Sequence, residues 1–121
     1  VPAVVGRVER VLVGPTGREQ DDAVVAALAA SGAAIDPVVQ GRTGTLGAHD
    51  WRVLWPPAHR GVEPGNDASI VIELRGAPGC GDCLSMLALG DLGADAQRRL
   101  AAASTLAPVD VVKVSHHGSP D

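Results

Sequence analysis

Short runs rich in Val, Ile and Leu recur along the chain, and Gly, Pro, Asn or Asp residues separate most of them. Such runs are typical of β-strands. Two other stretches are predicted to be helices: "DDAVVAALAASG" from Asp21 and "GADAQRRLAAAS" after Asp91. An Asp at the start of a helix and a Gly just past its end, here Gly32, are typical helix boundaries. Strands are predicted at 8–14, 35–40, 45–48, 51–55, 69–75, 84–89 and 109–114. The order β-α-β-β-β-β-β-α-β indicates an α/β fold in which helices pack on one side of a hairpin sheet.

Individual residues predict the edge position of one strand and the connections between others. Pro37 favours an edge position for the second strand, because proline cannot donate to a neighbouring strand. The polar pair His49-Asp50 is expected to form the turn between the strands at 45–48 and 51–55. The runs at 69–75 and 84–89 are joined by a loop rich in Gly, Pro and Cys, which predicts a long hairpin.

Length and charge limit the classes of protein that fit. The 121 residues correspond to one domain or a piece of one, since domains commonly contain about 100–200 residues. A net charge of −4 argues against a general polyanion binder, so contact with nucleic acid would be local or shielded by a metal ion. There is neither an apolar run of roughly 20 residues nor the layout of a signal peptide, so this chain itself is expected to be soluble. Its start on Val1 suggests that it was cut from a longer protein.

The only cysteines, Cys80 and Cys83, lie in "CGDC". Two cysteines cannot complete a four-ligand structural zinc site, and a redox-active pair is expected near a strand-to-helix turn rather than in a Gly-rich loop. A local disulfide and two unpaired turn thiols both remain open, and we favour the unpaired thiols.

Three places combine the end or start of a strand with side chains that could bind a metal. Asp91 follows an apolar strand and precedes a helix, and on spacing alone we favour a helix cap over a metal ligand. His116 and His117 leave the last strand beside a glycine. A single histidine is more often structural than a ligand, but two in a row at a strand end leave both interpretations equally open. Asn66 and Asp67 precede a strand, where this pair usually makes a turn.

Four other polar residues are interpreted as solvated. His49 is expected in a hairpin turn and His59 in a Pro-flanked loop. Arg98 and Arg99 are expected on the solvent-exposed face of the second helix.

The order of these motifs resembles the C-terminal hydrolase domain of the ComEC family of DNA-uptake proteins, the competence branch of the metallo-β-lactamase superfamily. The resemblance extends from about residue 8 onward, includes a weaker match at "WRVLWPP", and is most specific at "VVKVSHHGS". The matching segments are Asn66, Asp67 and Ser69 with "IVIEL", then Gly90-Asp91-Leu92, then 110–114 followed by His116-His117-Gly118-Ser119.

The resemblance implies a four-layer αββα sandwich, of which residues 1–121 would be a single partial domain, about the C-terminal half. One or two divalent ions, Zn or Mn, would lie at one edge between the sheets and activate a water that attacks a phosphodiester of DNA. Asp91 matches the carboxylate that bridges two metal ions, and His116 matches a late histidine ligand, with His117 as a less certain neighbour. Asn66 replaces a ligand histidine, which weakens one metal position.

The resemblance also implies supporting roles around the metal ligands. Lys113 and Ser119 would position phosphate or water, and Asp67 would belong to the same substrate-binding surroundings. The parent protein would lie in the cell membrane with this domain outside the cytoplasm. Its partners would be DNA, either single-stranded or incoming duplex, and the remainder of the parent protein.

One motif of the superfamily is missing. The sequence contains no H-x-H-x-D-H, which supplies most of the metal ligands in other members. Either the chain is the piece that follows this motif or it is a degenerate domain, and we favour the piece, which alone would be inactive with weak or no metal binding. Half a sandwich would expose apolar sheet and self-associate.

Two alternatives differ from a metal-dependent nuclease. The chain could belong to a metallo-hydrolase of another small substrate, such as a phosphoester or thioester. It could instead be a non-catalytic module for DNA handling or assembly, with a degenerate site.

Overall fold

The predicted order of elements is confirmed in the part of the chain that the structure, a computed structural model, describes: residues 3–15, 18–59 and 61–118. The strands there are β1 Arg10–Val13, β2 Ala34–Pro37, β3 Thr43–Leu46, β4 His49–Trp55, β5 Val71–Gly76, β6 Met86–Ala88 and β7 Val111–Lys113. The helices are α1 Glu19–Ala30 and α2 Ala94–Ala103, and short 3-10 helices span Asn66–Ala68 and Ser115–Gly118.

These strands form two sheets. One is a five-stranded mixed sheet in the order β3-β4-β5-β6-β7, antiparallel except for the parallel pair β6 and β7. The other sheet consists of β1 and β2, which pair in parallel and are connected in the chain by helix α1. The predicted hairpin of β5 and β6 is confirmed by their antiparallel pairing, and Pro37 lies in a two-stranded sheet, where both strands are edges. The chain is thus a small mixed α/β domain with two helices.

Helix α2 covers one face of the five-stranded sheet. Leu100 and Ala96 on this helix and Leu92 just before it are almost completely buried against the strands. Each fully buried leucine contributes about 1.5–3 kcal/mol relative to an exposed one. The other buried members of this core are Leu54, Trp55, Val71 and Leu87. The core therefore consists mainly of small aliphatic side chains around a single tryptophan.

Beyond helix α2, the same face of the sheet holds a charged cluster. The buried carboxylate of Glu73 accepts hydrogen bonds from Arg52 on β4 at 2.9 Å and from Arg75 on β5 at 2.8 Å. Arg75 also donates to the carbonyl oxygens of Ala107 and Pro108, at 3.1 and 3.1 Å. A buried carboxylate needs such partners, since an unpaired buried charge is costly. Arg75 thereby joins the sheet to the segment that leads into β7.

Two local expectations are wrong. Leu46 pairs with His49, so the chain reverses at Gly47-Ala48 rather than at His49-Asp50. Gly47 has φ +58°, a left-handed conformation that glycine adopts without the steric cost of a Cβ. Helix α1 begins at Glu19, two residues before Asp21, whereas Gly32 lies just past its end with φ +96° as expected.

Cys80 and Cys83 form a disulfide, so the favoured interpretation as unpaired thiols is wrong. Their Cα atoms lie 5.5 Å apart, within the usual range for a disulfide. A backbone hydrogen bond from Cys80 to Ala77 closes the turn that brings the two residues together. The bridge closes the loop between β5 and β6.

Strand β7 is an edge of the five-stranded sheet and exposes Val111, Val112 and the neighbouring Val114 to solvent. In residues 3–15, 18–59 and 61–118, neither helix has the length and hydropathy needed to cross a membrane.

Candidate functional site

The sheet topology brings the three polar segments to one end of the five-stranded sheet. Strand β5 is antiparallel to β6, and β7 is parallel to β6. The start of β5 therefore lies beside the ends of β6 and β7. The 3-10 turn Asn66–Ala68 precedes β5, Gly90-Asp91 follows β6, and the 3-10 turn Ser115–Gly118 follows β7. All three loops meet at this end of the sheet.

Asp91 does not cap helix α2, so that alternative is wrong. The N-cap residue is Gly93, and no side-chain hydrogen bond caps the helix. Instead, the backbone N–H of Asp91 donates to Ser69 Oγ at 3.1 Å, which ties the loop after β6 to the segment before β5. The Asp91 carboxylate is half-exposed at this junction.

Lys113 is the principal partner of this loop. Its Nζ donates to the Gly90 carbonyl oxygen at 2.6 Å and lies 3.6 Å from Asp91 Oδ1. The Lys113 backbone is fixed by pairing with Ala88 on β6 and by a 3.2 Å hydrogen bond from the N–H of Leu89. The candidate site therefore contains a carboxylate that is already paired with a cation of the chain itself.

Asn66 and Asp67 form a turn, as the turn interpretation predicts. This turn is also anchored to the core and to helix α2. The indole Nε1 of Trp55 donates to the Asp67 carbonyl oxygen at 2.7 Å. Asp67 Oδ1 lies 2.8 Å from where a Cβ on Gly93 would be, so a side chain at position 93 would push this carboxylate away. Asp67 therefore faces the N-terminus of α2, whose partial positive charge favours a carboxylate.

Arg99 lies on the exposed face of α2, as expected, and also completes this anchor. Its guanidinium lies 3.8 Å from Asp67 Oδ2 and 5.5 Å from the centre of the Trp55 ring. Arg98, in contrast, is largely exposed and pairs only with Asp95 one turn earlier on the same helix, as far as the described residues show. Of the two histidines expected in solvent, His59 is exposed, and His49 is half-buried with Nε2 3.2 Å from the Leu84 carbonyl oxygen.

A cleft of about 620 Å³ opens beside these loops, between them and helix α1. Its lining combines charged, amide and hydroxyl side chains and glycine backbone with apolar side chains of β1 and α1. The polar residues that line it are Arg18, Asp21, Asn66, Ser69 and Asp91. Arg18 and Asp21 carry no sequence motif that would have revealed them, because only the fold brings α1 to this end of the sheet.

The loop after β7 is joined to the loop that carries Asp91. Ser115 Oγ donates to the Leu92 carbonyl oxygen at 2.6 Å, and Gly118 has φ +82°. The backbone of His116 and His117 lies in this 3-10 turn. The side chains of both histidines, and Ser119 as a whole, lie outside the described residues, so their proposed ligand and substrate roles stay predictions.

The described side chains alone do not fit a zinc or manganese site. Among residues 3–15, 18–59 and 61–118, no group of three His, Cys, Asp or Glu side chains is placed to hold a metal ion. A protein zinc site uses about three or four protein ligands. Asp91 supplies one carboxylate, and the cation beside it is the Lys113 ammonium.

Comparisons of the chain with models of protein families, with curated protein sequences and with solved structures found no match.

Proposed function

We propose that the chain is the downstream half of a metal-dependent phosphodiesterase or nuclease domain, similar to that of ComEC-type DNA-uptake proteins and built as a metallo-β-lactamase-like αββα sandwich. The observation that carries this proposal is the meeting of three separate motif segments at one end of the sheet. These segments are Asn66-Asp67, Gly90-Asp91 and the run from Lys113 to His117.

Asp91 and His116, with His117, are the residues of this chain that would hold Zn or Mn. Carboxylate and imidazole are donors that these ions accept. A divalent cation held there supplies Lewis acidity toward a phosphodiester. Lys113, Asn66, Asp67 and Ser119 are assigned to the surroundings of the substrate.

The chain's own residues would also bind and orient DNA. The ammonium of Lys113 and the guanidinium of Arg18, which lines the cleft, offer positive charge to a phosphate in a chain of net charge −4. The proposal requires further metal ligands, and the resemblance attributes them to an H-x-H-x-D-H segment that the 121 residues do not contain. The parent protein is proposed to be membrane-anchored with this domain outside the cytoplasm.

The test uses the longest natural protein that contains this sequence. Labelled single-stranded and duplex DNA are incubated with it in Mn²⁺, in Zn²⁺ and in chelator. Hydrolysis is expected only with a metal ion, and Asp91→Asn is expected to abolish it. Asp95→Asn is the matched control, because Asp95 is an exposed carboxylate on α2 that pairs only with Arg98 within the described part of the chain.

A non-catalytic DNA-handling module is the second candidate. The observation that favours it is the Lys113–Asp91 ion pair, because a carboxylate satisfied by an internal ammonium needs no metal ion. DNA that is bound but not cleaved, equally with metal and with chelator, would establish this function. Metal-dependent cleavage of a small phosphoester or thioester while DNA survives would instead indicate a hydrolase of another substrate.

A further inference from the structure

A second concave surface, the inter-sheet groove, lies between the two sheets. Its volume is about 1010 Å³, near the upper end of the range for small-molecule sites. Strands β1 and β2 supply one wall, and β3, β4 and β5 supply the other. Ile72 and Leu74 line it, whereas their neighbour Val71 belongs to the core beneath α2, so this wall is the sheet face opposite α2. Among the described residues, the groove shares no lining residue with the cleft beside Asp91.

Aliphatic and aromatic side chains cover much of both walls. They are Leu12 on β1 and Leu46, Trp51, Ile72 and Leu74 on β3, β4 and β5. Leu46 is 66% exposed and the other four are half-buried. A side chain at Gly44 would collide with the Trp51 indole, so β3 holds this ring in place on the wall. Removing such apolar surface from water is favourable, which an apolar ligand in the groove achieves.

The charged residues of the groove favour an anion. Three cations and two anions line it, a net charge of +1 in a chain whose net charge is −4. One cation, Arg42, is already occupied, since it donates two 2.9 Å hydrogen bonds to Asp36 on β2. The other two, Arg7 and Arg10, are exposed and have no ion-pair partner within the described part of the chain. The second anion is Glu9, beside Arg10.

Arg10 is the cation best placed to meet a ligand that lies on the apolar wall. It stands two residues before Leu12 on β1, and alternate residues of a strand point to the same face. A planar guanidinium binds a carboxylate through two parallel hydrogen bonds. An extended peptide fits less well, because its amide groups would lie unpaired against the aliphatic side chains.

We infer that the inter-sheet groove binds a free fatty acid, with its hydrocarbon chain against Leu12, Trp51 and Leu74 and its carboxylate on Arg10. A single chain enters a groove between two sheets, whereas a bilayer presents a broad surface. This binding site goes beyond the proposed nuclease activity and does not depend on it.

The first test locates the hydrocarbon chain. The probe is laurate labelled with bromine at its terminal carbon, kept below its micelle concentration, because bromine quenches tryptophan fluorescence on contact. The sequence contains two tryptophans, Trp51 in the groove and Trp55 in the core beneath α2. Saturable quenching is expected for the full chain, and Trp51→Phe is expected to lose it while still binding laurate in equilibrium dialysis. No saturable quenching, or undiminished quenching in Trp51→Phe, overturns the inference.

The second test concerns the carboxylate. Arg10→Met removes the charge and keeps an unbranched side chain, so laurate is expected to bind about tenfold more weakly. Arg98→Met, which removes an exposed cation from α2, is expected to leave the affinity unchanged. Lauryl alcohol tests the same contact without a variant: the unaltered chain is expected to bind it about tenfold more weakly than laurate, and Arg10→Met to bind both alike. Equal affinity of the unaltered chain for acid and alcohol overturns the inference.

Other occupants of the groove give different results. Quenching by vesicles of brominated phospholipid without quenching by bromolaurate would show docking on a bilayer, which overturns the inference. A dimer in sedimentation whose Trp51 is shielded from bromolaurate would show that a second copy covers the groove, which also overturns it. Laurate binding by a protein that never cleaves DNA supports the inference and contradicts only the nuclease.

Discussion

The hydroxyl of Ser69 accepts a hydrogen bond of 3.1 Å from the backbone N–H of Asp91, 22 residues further along the chain. This bond joins the segment before β5 to the loop after β6, and no other described side chain makes that connection to the Asp91 N–H. Because the bond is to the backbone, it fixes the position of the Asp91 Cα and does not involve the carboxylate. The carboxylate stays available to the ammonium of Lys113 or to an external cation.

Ser69→Ala is expected to lower the free energy of unfolding by about 0.5–1.5 kcal/mol, because it removes the partner of a half-buried N–H. Urea denaturation monitored by circular dichroism gives this value. Ser104→Ala is the matched control, because the Ser104 hydroxyl makes no hydrogen bond within the described part of the chain, and it is expected to be nearly neutral. A loss at Ser69 no larger than at Ser104 would contradict the tie between the two loops.

Gly90→Ala is expected to destabilise the same loop by about 1–3 kcal/mol, since alanine must adopt the left-handed conformation and its Cβ would meet Ser69. The added Cβ would lie 2.8 Å from the Ser69 Cβ and 3.1 Å from the Ile70 carbonyl oxygen. Gly81→Ala is the control, because a Cβ at Gly81 meets open space. Thermal unfolding of both variants checks the prediction, and equal melting temperatures would contradict it.

Trp55→Phe is expected to cost about 1–2 kcal/mol, because the Asp67 carbonyl oxygen loses its hydrogen bond and the core loses part of an aromatic ring. Trp51→Phe is the comparison, since Trp51 is the only other tryptophan and is half-buried on β4. Amide hydrogen exchange of residues 66–69 adds a local measurement. Faster exchange there is expected in Trp55→Phe alone, and equal exchange in both variants would show that Trp55 does not anchor the turn.

The order of the elements could be predicted because each strand is a short apolar run that ends at a turn residue. The local pattern does not determine the boundaries of strands and turns beside glycines and pairs of polar residues. His49 and Asp50 are polar enough for a turn, yet Gly47 allows the chain to reverse earlier and leaves both residues in β4. The pairing of β1 with β2 in a separate sheet depends on contacts between distant segments, which a local pattern does not contain.

The segments of the candidate site could be predicted for the same reason, since polar residues stand at the ends of apolar strands. Their contacts could not. The meeting of Ser69 with Asp91 depends on the register of β5 against β6. The anchoring of Asp67 by Trp55 and Arg99 depends on where helix α2 packs. Arg18 enters the cleft only because α1 lies beside it.

The last prediction concerns acid stability and Asp110, which holds the start of β7. The backbone N–H of Ser85 and then its hydroxyl donate to Asp110 Oδ2, at 2.8 and 2.7 Å, and lower the pKa of this carboxyl below its ordinary 3.8. Burial acts in the opposite direction, and the charge of Arg75 adds to the lowering. The folded chain therefore keeps Asp110 ionised to lower pH than the unfolded chain does.

The sign of the effect follows from proton binding. As pH falls, the unfolded chain protonates Asp110 first, so the contribution to stability is complete above about pH 4 and is lost through the folded pKa below it. Urea unfolding between about pH 6 and pH 3 is expected to show a steeper loss for the unaltered chain than for Asp110→Asn, with Ser85→Ala intermediate because it retains the backbone bond. A stability difference between the unaltered chain and Asp110→Asn that is the same at both ends of this range would show that the Ser85 hydrogen bonds do not favour the ionised carboxylate.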